Sequence, residues 1–179
     1  MIGEYIKEDG KKLLKLARES IEEEFSGKKP EMPEEKQFKQ ARGVFVTLTS
    51  KGKLRGCVGF PYPNFSVSEA VYKAAKSAAF SDYRFPKLEK EELKDIKIEI
   101  SILTLPQECS VKDIKIGKDG LICNYLGYQG LLLPQVATEY KFSRIEFLEC
   151  LCNKAGLPNN TWQNKNFKLW KFSCQIFKE

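Results

Sequence analysis

Isoleucine occupies every second position of one short segment, and this alternation is the strongest constraint on the fold. Polar residues fill the intervening positions, so that the segment reads Ile96, Lys97, Ile98, Glu99, Ile100, Ser101, Ile102. Because successive side chains of a strand point to opposite faces, residues 96–104 are predicted to form a strand with one buried face.

A β-hairpin is predicted upstream of this strand. Residues 43–49 are rich in β-branched and aromatic side chains, Lys51-Gly52-Lys53 offers a tight turn, and Leu54 to Phe60 returns as the second strand. The other predicted strands are residues 114–116, 121–126, 131–133 and 167–177, with a second hairpin closing near Gly127 and Gly130.

Three segments have the spacing and capping residues of helices. Residues 9–25 place apolar side chains at three- and four-residue intervals. Ser66 with Glu69, and Ser143 with Glu146, have the spacing of a capping box. The helix predicted from Ser66 to about Ser81 carries alanines on one face, which permits close packing against a sheet: Ala74, Ala75, Ala78, Ala79.

These elements predict an α+β fold with a largely antiparallel sheet flanked by helices. Residues 1–179 are expected to form a single domain, or two intimately packed subdomains. No apolar run reaches the roughly 20 residues that span a bilayer, and the opening Met1 to Tyr5 has no apolar signal core. A cytoplasmic protein without membrane attachment is predicted.

The chain contains no histidine, which excludes a Ser-His-Asp triad, a Cys-His dyad and any imidazole metal ligand. No two of its six cysteines form a Cys-x-x-Cys pair. No metal site is therefore expected. Acid–base chemistry would fall to Asp, Glu, Lys, Tyr or Cys side chains.

The formal net charge is +6, from 30 basic and 24 acidic residues. Lysines alternate with acidic residues along most helices, which is typical of a mixed, solvated surface. A nucleic-acid binder that uses scattered lysines with Tyr62 and Phe65 is unlikely on this pattern, because base stacking needs aromatic residues interleaved with a continuous basic groove.

The strand Leu54-Arg55-Gly56-Cys57-Val58-Gly59 is the candidate functional segment. Simple alternation places Arg55, Cys57 and Gly59 on one face. A cation near a thiol could activate the thiol or bind an anionic ligand. Gly56 and Gly59 indicate a close approach to the backbone or a bend in the strand. The structural alternative is a bulge and a buried cysteine packed against the alanine-rich helix.

A second candidate segment, Asp82 to Pro86, lies where the alanine-rich helix ends. There Arg84 has a sufficient structural explanation, because a cation is stabilised by a helix C-terminus. If this segment folds back beside the hexapeptide strand, Asp82 could hold one arginine and leave the other for a ligand. The polar face of the strand containing Glu99 is then a further wall of the cleft.

Several motifs together resemble the AMMECR family. The hexapeptide matches that family's Leu-Arg-Gly-Cys-Ile-Gly, with Val58 in place of isoleucine, and Phe60-Pro61 resembles the archaeal members. The other matching motifs are Gly43 to Leu48, Asp82-x-Arg84-Phe85-Pro86, Ile98 to Leu103, Gly130 to Val136, and Lys154 to Pro158 with Trp162. Tyr83 stands where proline is usual.

The resemblance implies an α+β fold of two packed subdomains, with the hexapeptide lining a cleft. It makes Cys57 and Arg55 candidate catalytic residues. The candidate ligand-binding residues are Gly56, Gly59, Asp82, Arg84 and Glu99. The family has no established reaction or cofactor. Its prokaryotic members are associated with a Memo-type dioxygenase-like protein and a radical S-adenosylmethionine enzyme, which implies a role in modifying a small molecule or macromolecule.

Two classes of function therefore remain open. In the first, the chain is a component of a modification pathway and binds a substrate or intermediate through Cys57. In the second, it is a non-enzymatic adaptor that presents the same groove to a protein partner, and Cys57 is structural.

Overall fold

The computed structural model describes residues 5–179. Residues 1–4, on which the prediction of no export signal partly rests, lie outside the described residues. Within residues 5–179 no helix is both long enough and apolar enough to cross a membrane. The chain divides into two compact units, one running to Leu103 and including Gln175–Glu179, the other formed by Thr104–Cys174.

The described residues form helices and strands in mixed order. The α-helices are α1 (Lys7–Ser26), α2 (Val67–Phe80), α3 (Pro134–Glu139) and α4 (Arg144–Lys154). The strands are β1 (Val44–Ser50), β2 (Lys53–Phe60), β3 (Ile96–Leu103), β4 (Gln107–Glu108), β5 (Gly120–Tyr125), β6 (Tyr128–Leu132), β7 (Lys168–Phe172) and β8 (Cys174–Lys178). Over residues 5–179 these strands make two four-stranded sheets, which confirms the predicted α+β class.

The sheet of the first unit has the order β2-β1-β3-β8, so β2 is an edge strand. The β1–β2 and β1–β3 pairs are antiparallel, as the predicted hairpin requires. Alternate residues of β1 and β3 are fully buried on one face, among them Val46, Leu48 and Ile100. The alternation that predicts β3 is therefore confirmed.

A β-bulge interrupts the hairpin beside the turn. Thr49 pairs with Leu54, but Leu48 pairs with Gly56, so Arg55 is the extra residue of β2. A bulge puts two residues of one strand opposite one residue of its partner, and here Arg55 and Gly56 together oppose Leu48. The bulge fixes which face of the sheet each later residue of β2 occupies.

Helix α2 packs on the buried face of this sheet. Ser66 caps it as predicted, because its hydroxyl accepts the Glu69 N–H while the Glu69 carboxylate accepts the Ser66 N–H. Its alanine face is buried in the core together with apolar residues of α1. A Cβ atom on Gly56 would overlap the Ala78 carbonyl oxygen, so the strand and the helix backbone approach as closely as glycine allows.

The second unit has its own sheet and core. The strand order is β4-β7-β5-β6, with antiparallel pairing throughout. Helix α4 begins after Ser143 with the predicted capping box. It supplies Phe147, Leu148 and Leu151 to a core that includes Leu121 and Cys123 of β5.

Three features of the second half differ from the sequence predictions. Residues 114–116 do not form a strand, because Ile114 is buried after a short 3-10 helix and the Asp119 carboxylate accepts the Lys115 N–H within a turn. The single strand predicted for residues 167–177 is divided at Ser173, whose N–H donates to the Thr104 hydroxyl. Helix α3 was not predicted.

Candidate functional site

Cys57 lies on the face of the first sheet that points away from α2. It pairs with Thr47 of β1, and it is half-buried. The Thr47 hydroxyl donates a hydrogen bond to the Cys57 sulfur at 3.3 Å. Gly56, rather than Cys57, contacts the alanine-rich helix. The structural alternative of a buried cysteine against that helix is therefore wrong for Cys57, although the bulge that it assumed is present.

Glu99 lies in line with Cys57 and Thr47 across the three neighbouring strands of the sheet. Thr47 pairs with Cys57 on one side and with Glu99 of β3 on the other. Since neighbouring strands lie about 4.8 Å apart, the Cys57 and Glu99 backbones are about 10 Å apart across Thr47. The Glu99 carboxylate forms an ion pair with Lys178 of β8 at 2.7 Å.

Two side chains bind the backbone of Cys57 at the open edge of β2. Asp82 Oδ2 accepts the Cys57 N–H at 2.9 Å, and Arg84 Nη2 donates to the Cys57 carbonyl oxygen at 3.1 Å. A neighbouring strand would make the same two contacts with its own carbonyl and amide groups. The pair therefore satisfies an edge peptide that would otherwise be free to bind another chain.

Asp82 and Arg84 also hold each other. The guanidinium donates to both carboxylate oxygens, at 2.9 Å from Nε and 2.7 Å from Nη2, and the Arg84 N–H donates to Oδ1 at 3.2 Å. The Asp82 side chain is only 4% exposed. The Arg84 guanidinium lowers the pKa of Asp82 well below its usual range, against the effect of burial and with help from the Cys57 N–H. Asp82 is therefore an ionised clamp at neutral pH and a poor proton donor.

Arg55 is bound elsewhere. Its guanidinium donates to both oxygens of Glu92, at 2.7 and 2.9 Å, and to the carbonyl oxygens of Pro86 at 2.9 Å and Lys87 at 3.4 Å. The hydrogen bond with Glu92 raises the pKa of Arg55, and Arg55 lowers the pKa of Glu92. The expectation that Arg55 shares a face with Cys57 assumed unbroken alternation, which the bulge removes.

The two glycines of the hexapeptide have distinct packing roles. Gly56 permits the close approach of α2 on the buried face. Gly59 pairs with Phe45, and a Cβ atom there would overlap the Phe45 ring. Both positions have a structural explanation that requires no ligand.

The predicted site residues thus form two groups. Cys57, Asp82 and Arg84 are joined by hydrogen bonds, and Glu99 lies in their row on the same sheet face. We call Cys57, Thr47, Asp82, Arg84 and Glu99 the Cys57 site. Arg55 with Glu92 forms a separate group that holds the segment following Arg84.

Two of these residues were missed by sequence reasoning. Thr47 could have been identified only from the hairpin register, because its position opposite Cys57 depends on the bulge. Glu92 lies in the charged run Glu89 to Glu92, where nothing distinguishes it from its neighbours. Within residues 5–179, no three Cys, Asp or Glu side chains converge as a metal site would require.

Comparisons with known proteins agree with this architecture. The AMMECR1 family model matches residues 14–177. Protein TV1384 of Thermoplasma volcanium is 44% identical over 179 residues, covering 95% of this chain and 89% of that protein. A protein of Methanothermobacter thermautotrophicus is 44% identical over 185 residues, covering 97% of this chain and 95% of that protein. The crystal structure of PH0010 from Pyrococcus horikoshii matches with a TM-score of 0.91 and 40% identity, covering 99% of this chain and 94% of that one. This chain belongs to the AMMECR1 family.

Proposed function

We propose that the chain is a component of a pathway that modifies a small molecule or macromolecule, and that the Cys57 site holds the substrate against the Cys57 thiol. The observation that carries this proposal is the fixation of the Cys57 peptide. Asp82 and Arg84 bind its N–H and its carbonyl oxygen, and the Cys57 residue is half-buried rather than fully buried. A catalytic or binding side chain must be held in a fixed geometry, and these contacts fix the backbone that carries the Cys57 thiol.

The surroundings of the thiol support the same proposal. Reactive cysteines lie in partly exposed, electropositive places, whereas structural cysteines are buried and inert. Cys57 is half-buried beside Arg84, whereas Cys123 and Cys152 are fully buried. Burial also raises the pKa of the Cys123 thiol to about 11 and raises the pKa of Cys152.

In this proposal Arg55 is a positioning residue. It binds the carbonyl oxygens of Pro86 and Lys87, which follow Arg84 closely in the chain. It therefore holds the segment from which Arg84 reaches Cys57. From the family resemblance alone, the proposal extends to a cytoplasmic pathway shared with a Memo-type dioxygenase-like protein and a radical S-adenosylmethionine enzyme.

The test is to identify what the native protein retains. The native chain, Cys57→Ser and the matched control Cys150→Ser are incubated with a cell extract, repurified and examined by native mass spectrometry and peptide mapping. Serine at position 57 keeps a partner for the Thr47 hydroxyl and removes only the thiol. We expect a retained molecule on the native and Cys150→Ser proteins that Cys57→Ser loses. Equal retention by all three proteins would show that the thiol is not the contact.

One observation favours the second candidate, a protein-binding adaptor. Tyr83 lies between Asp82 and Arg84 and is 95% exposed. Exposed aromatic side chains are enriched at the centres of protein interfaces. If the site binds a protein, chemical crosslinking in the extract should capture a macromolecular partner on the native chain but not on Tyr83→Ser. Tyr128→Ser, which changes an exposed tyrosine of the second unit, should still capture it. If small-molecule retention depends on Cys57 and no macromolecule depends on Tyr83, the adaptor function is excluded.

A further inference from the structure

Arg84 has hydrogen-bond donors that its contacts with Asp82 and Cys57 do not use. A guanidinium carries five N–H groups. Arg84 directs the Nε and Nη2 groups to Asp82 and to the Cys57 carbonyl oxygen. Its Nη1 group has no hydrogen-bond partner among the residues that the structure describes. The side chain as a whole is 44% exposed, which permits a ligand to approach it.

The guanidinium of Arg84 is close to the backbone of Cys57. Nη2 of the same planar group lies 3.1 Å from the carbonyl oxygen of Cys57. After Asp82, the Cys57 side chain also contributes to raising the pKa of Arg84. A small group bound by Nη1 would therefore lie near the Cys57 residue.

The other charges of the Cys57 site leave this position favourable for an anion. The Asp82 carboxylate is buried and engaged by Arg84 and by the Cys57 N–H. Glu99 lies across Thr47 and pairs with Lys178. Arginine presents its donors in a rigid fork that matches the oxygens of a carboxylate or phosphate.

We infer that the substrate held at Cys57 carries an anionic group, a carboxylate or a phosphate, that binds Nη1 of Arg84. This inference rests on the proposed function and names the chemical class of its substrate. Asp82 has a double role, because it fixes the Cys57 peptide and binds Nε and Nη2 of the guanidinium while leaving Nη1 unbound.

Two thiol reagents of similar size, one negatively charged and one neutral, test the inference. Iodoacetate is an anion and iodoacetamide is neutral. Both alkylate the thiolate sulfur, which displaces iodide from the reagent. The ratio of their rates at each cysteine is measured by peptide mapping in the native protein, in Arg84→Gln and in the matched control Arg144→Gln, an exposed position of the second unit. The ratio cancels any change in the reactivity of the thiol itself, so it reports local attraction for the anion.

We expect the iodoacetate preference at Cys57 to exceed that at Cys150 and to fall about threefold or more in Arg84→Gln, as loss of a partly exposed charge contact would produce. Arg144→Gln should keep the native ratio at Cys57, because Arg144 is exposed and belongs to the second unit. The preference should also shrink at 1 M salt, where the screening length is about 3 Å. Inorganic phosphate and acetate, added separately, should slow iodoacetamide labelling of native Cys57, and the stronger of the two identifies the preferred anion.

An iodoacetate preference at Cys57 no greater than that at Cys150, with no protection by either anion, would overturn the inference. Both measurements use the native protein, so they remain decisive even if Arg84→Gln fails to fold. The proposed function would survive such a result if a retained molecule still depended on Cys57. Loss of that dependence would instead remove the proposed function itself.

Discussion

Arg55 and Arg84 are both held by a carboxylate, but they act on different parts of the molecule. Arg84 contacts the carbonyl oxygen of Cys57 and keeps part of its guanidinium free. The hydrogen bonds of Arg55 go to Glu92 and to the carbonyl oxygens of Pro86 and Lys87. At the scale of single residues, one arginine binds the Cys57 peptide directly and the other holds the segment that follows the first.

Asp82→Asn should lower the free energy of unfolding by about 1–3 kcal/mol at pH 7, because asparagine keeps one acceptor oxygen and loses the charge-assisted hydrogen bonds with Arg84. The pKa of Asp82 is lowered in the folded state. Its stabilisation is therefore complete above the ordinary carboxyl pKa of about 3.9 and is lost as pH falls below that value. Urea unfolding should show a smaller difference between native and variant at pH 3 than at pH 7.

Asp95→Asn is the matched control, since Asp95 is exposed and forms no ion pair within residues 5–179. It should leave the unfolding free energy unchanged at neutral pH. An Asp82→Asn difference that stays constant or grows with falling pH would contradict the clamp.

Arg55→Lys should lower the unfolding free energy by about 1–2 kcal/mol, because lysine cannot reproduce the two-pronged contact with Glu92. The rate at which iodoacetamide labels Cys57 should change less in Arg55→Lys than in Asp82→Asn. Arg144→Lys, at an exposed position of the second unit, should alter neither quantity. If Arg55→Lys suppresses labelling of Cys57 without loss of stability, Arg55 acts on the thiol directly.

At the scale of elements, the bulge in β2 decides what the hexapeptide can do. The turn at Lys51-Gly52 sets Ser50 opposite Lys53, and an unbroken hairpin would then place Cys57 opposite the buried Val46. The extra residue moves Cys57 opposite Thr47 and so to the other face. Paired glycines indicate a bend in a strand, but they do not indicate at which residue the register changes. The strand was therefore predictable from the sequence, and the neighbours of the thiol were not.

Gly56→Ala should destabilise the first unit by about 2–3 kcal/mol, because the added methyl group overlaps a backbone oxygen that cannot rotate away. Gly27→Ala is the contrasting variant. Gly27 has a positive φ of 69° but nothing within 4 Å of an added Cβ atom, so only backbone strain of about 1 kcal/mol is expected. Urea unfolding compares the two variants. Equal effects would mean that Gly56 does not mediate the contact between α2 and β2.

At the scale of the whole molecule, local patterns predicted more than long-range pairing did. Alternation and capping boxes located β3, α2 and α4, because both signals are contained within a few residues. The end of the chain behaves differently: β7 joins the second sheet and β8 joins the first. A continuous apolar pattern cannot show that its two halves pair with different sheets. Asp82 and Arg84 contact Cys57 across 25 and 27 positions of the chain. The sequence offered this contact only on the condition that the segment after α2 folds back beside the hexapeptide strand, and no local pattern decides that condition.

The net charge of +6 should confer only weak attraction for nucleic acid. Binding to a labelled RNA or DNA should be independent of sequence and should be lost by about 150 mM salt, because counterion release would supply all of the affinity. Tight and sequence-selective binding at that salt concentration would restore the nucleic-acid hypothesis.

Iodoacetamide labelling of the folded native protein decides whether Cys57 is the functional thiol of this chain. The six cysteines are followed separately by peptide mapping over time. We expect Cys57 to react faster than each of the other five and the fully buried Cys123 and Cys152 to react last. If Cys57 stays unlabelled in the folded protein while other cysteines react, Cys57 is not a functional thiol, and the hexapeptide is a packing motif.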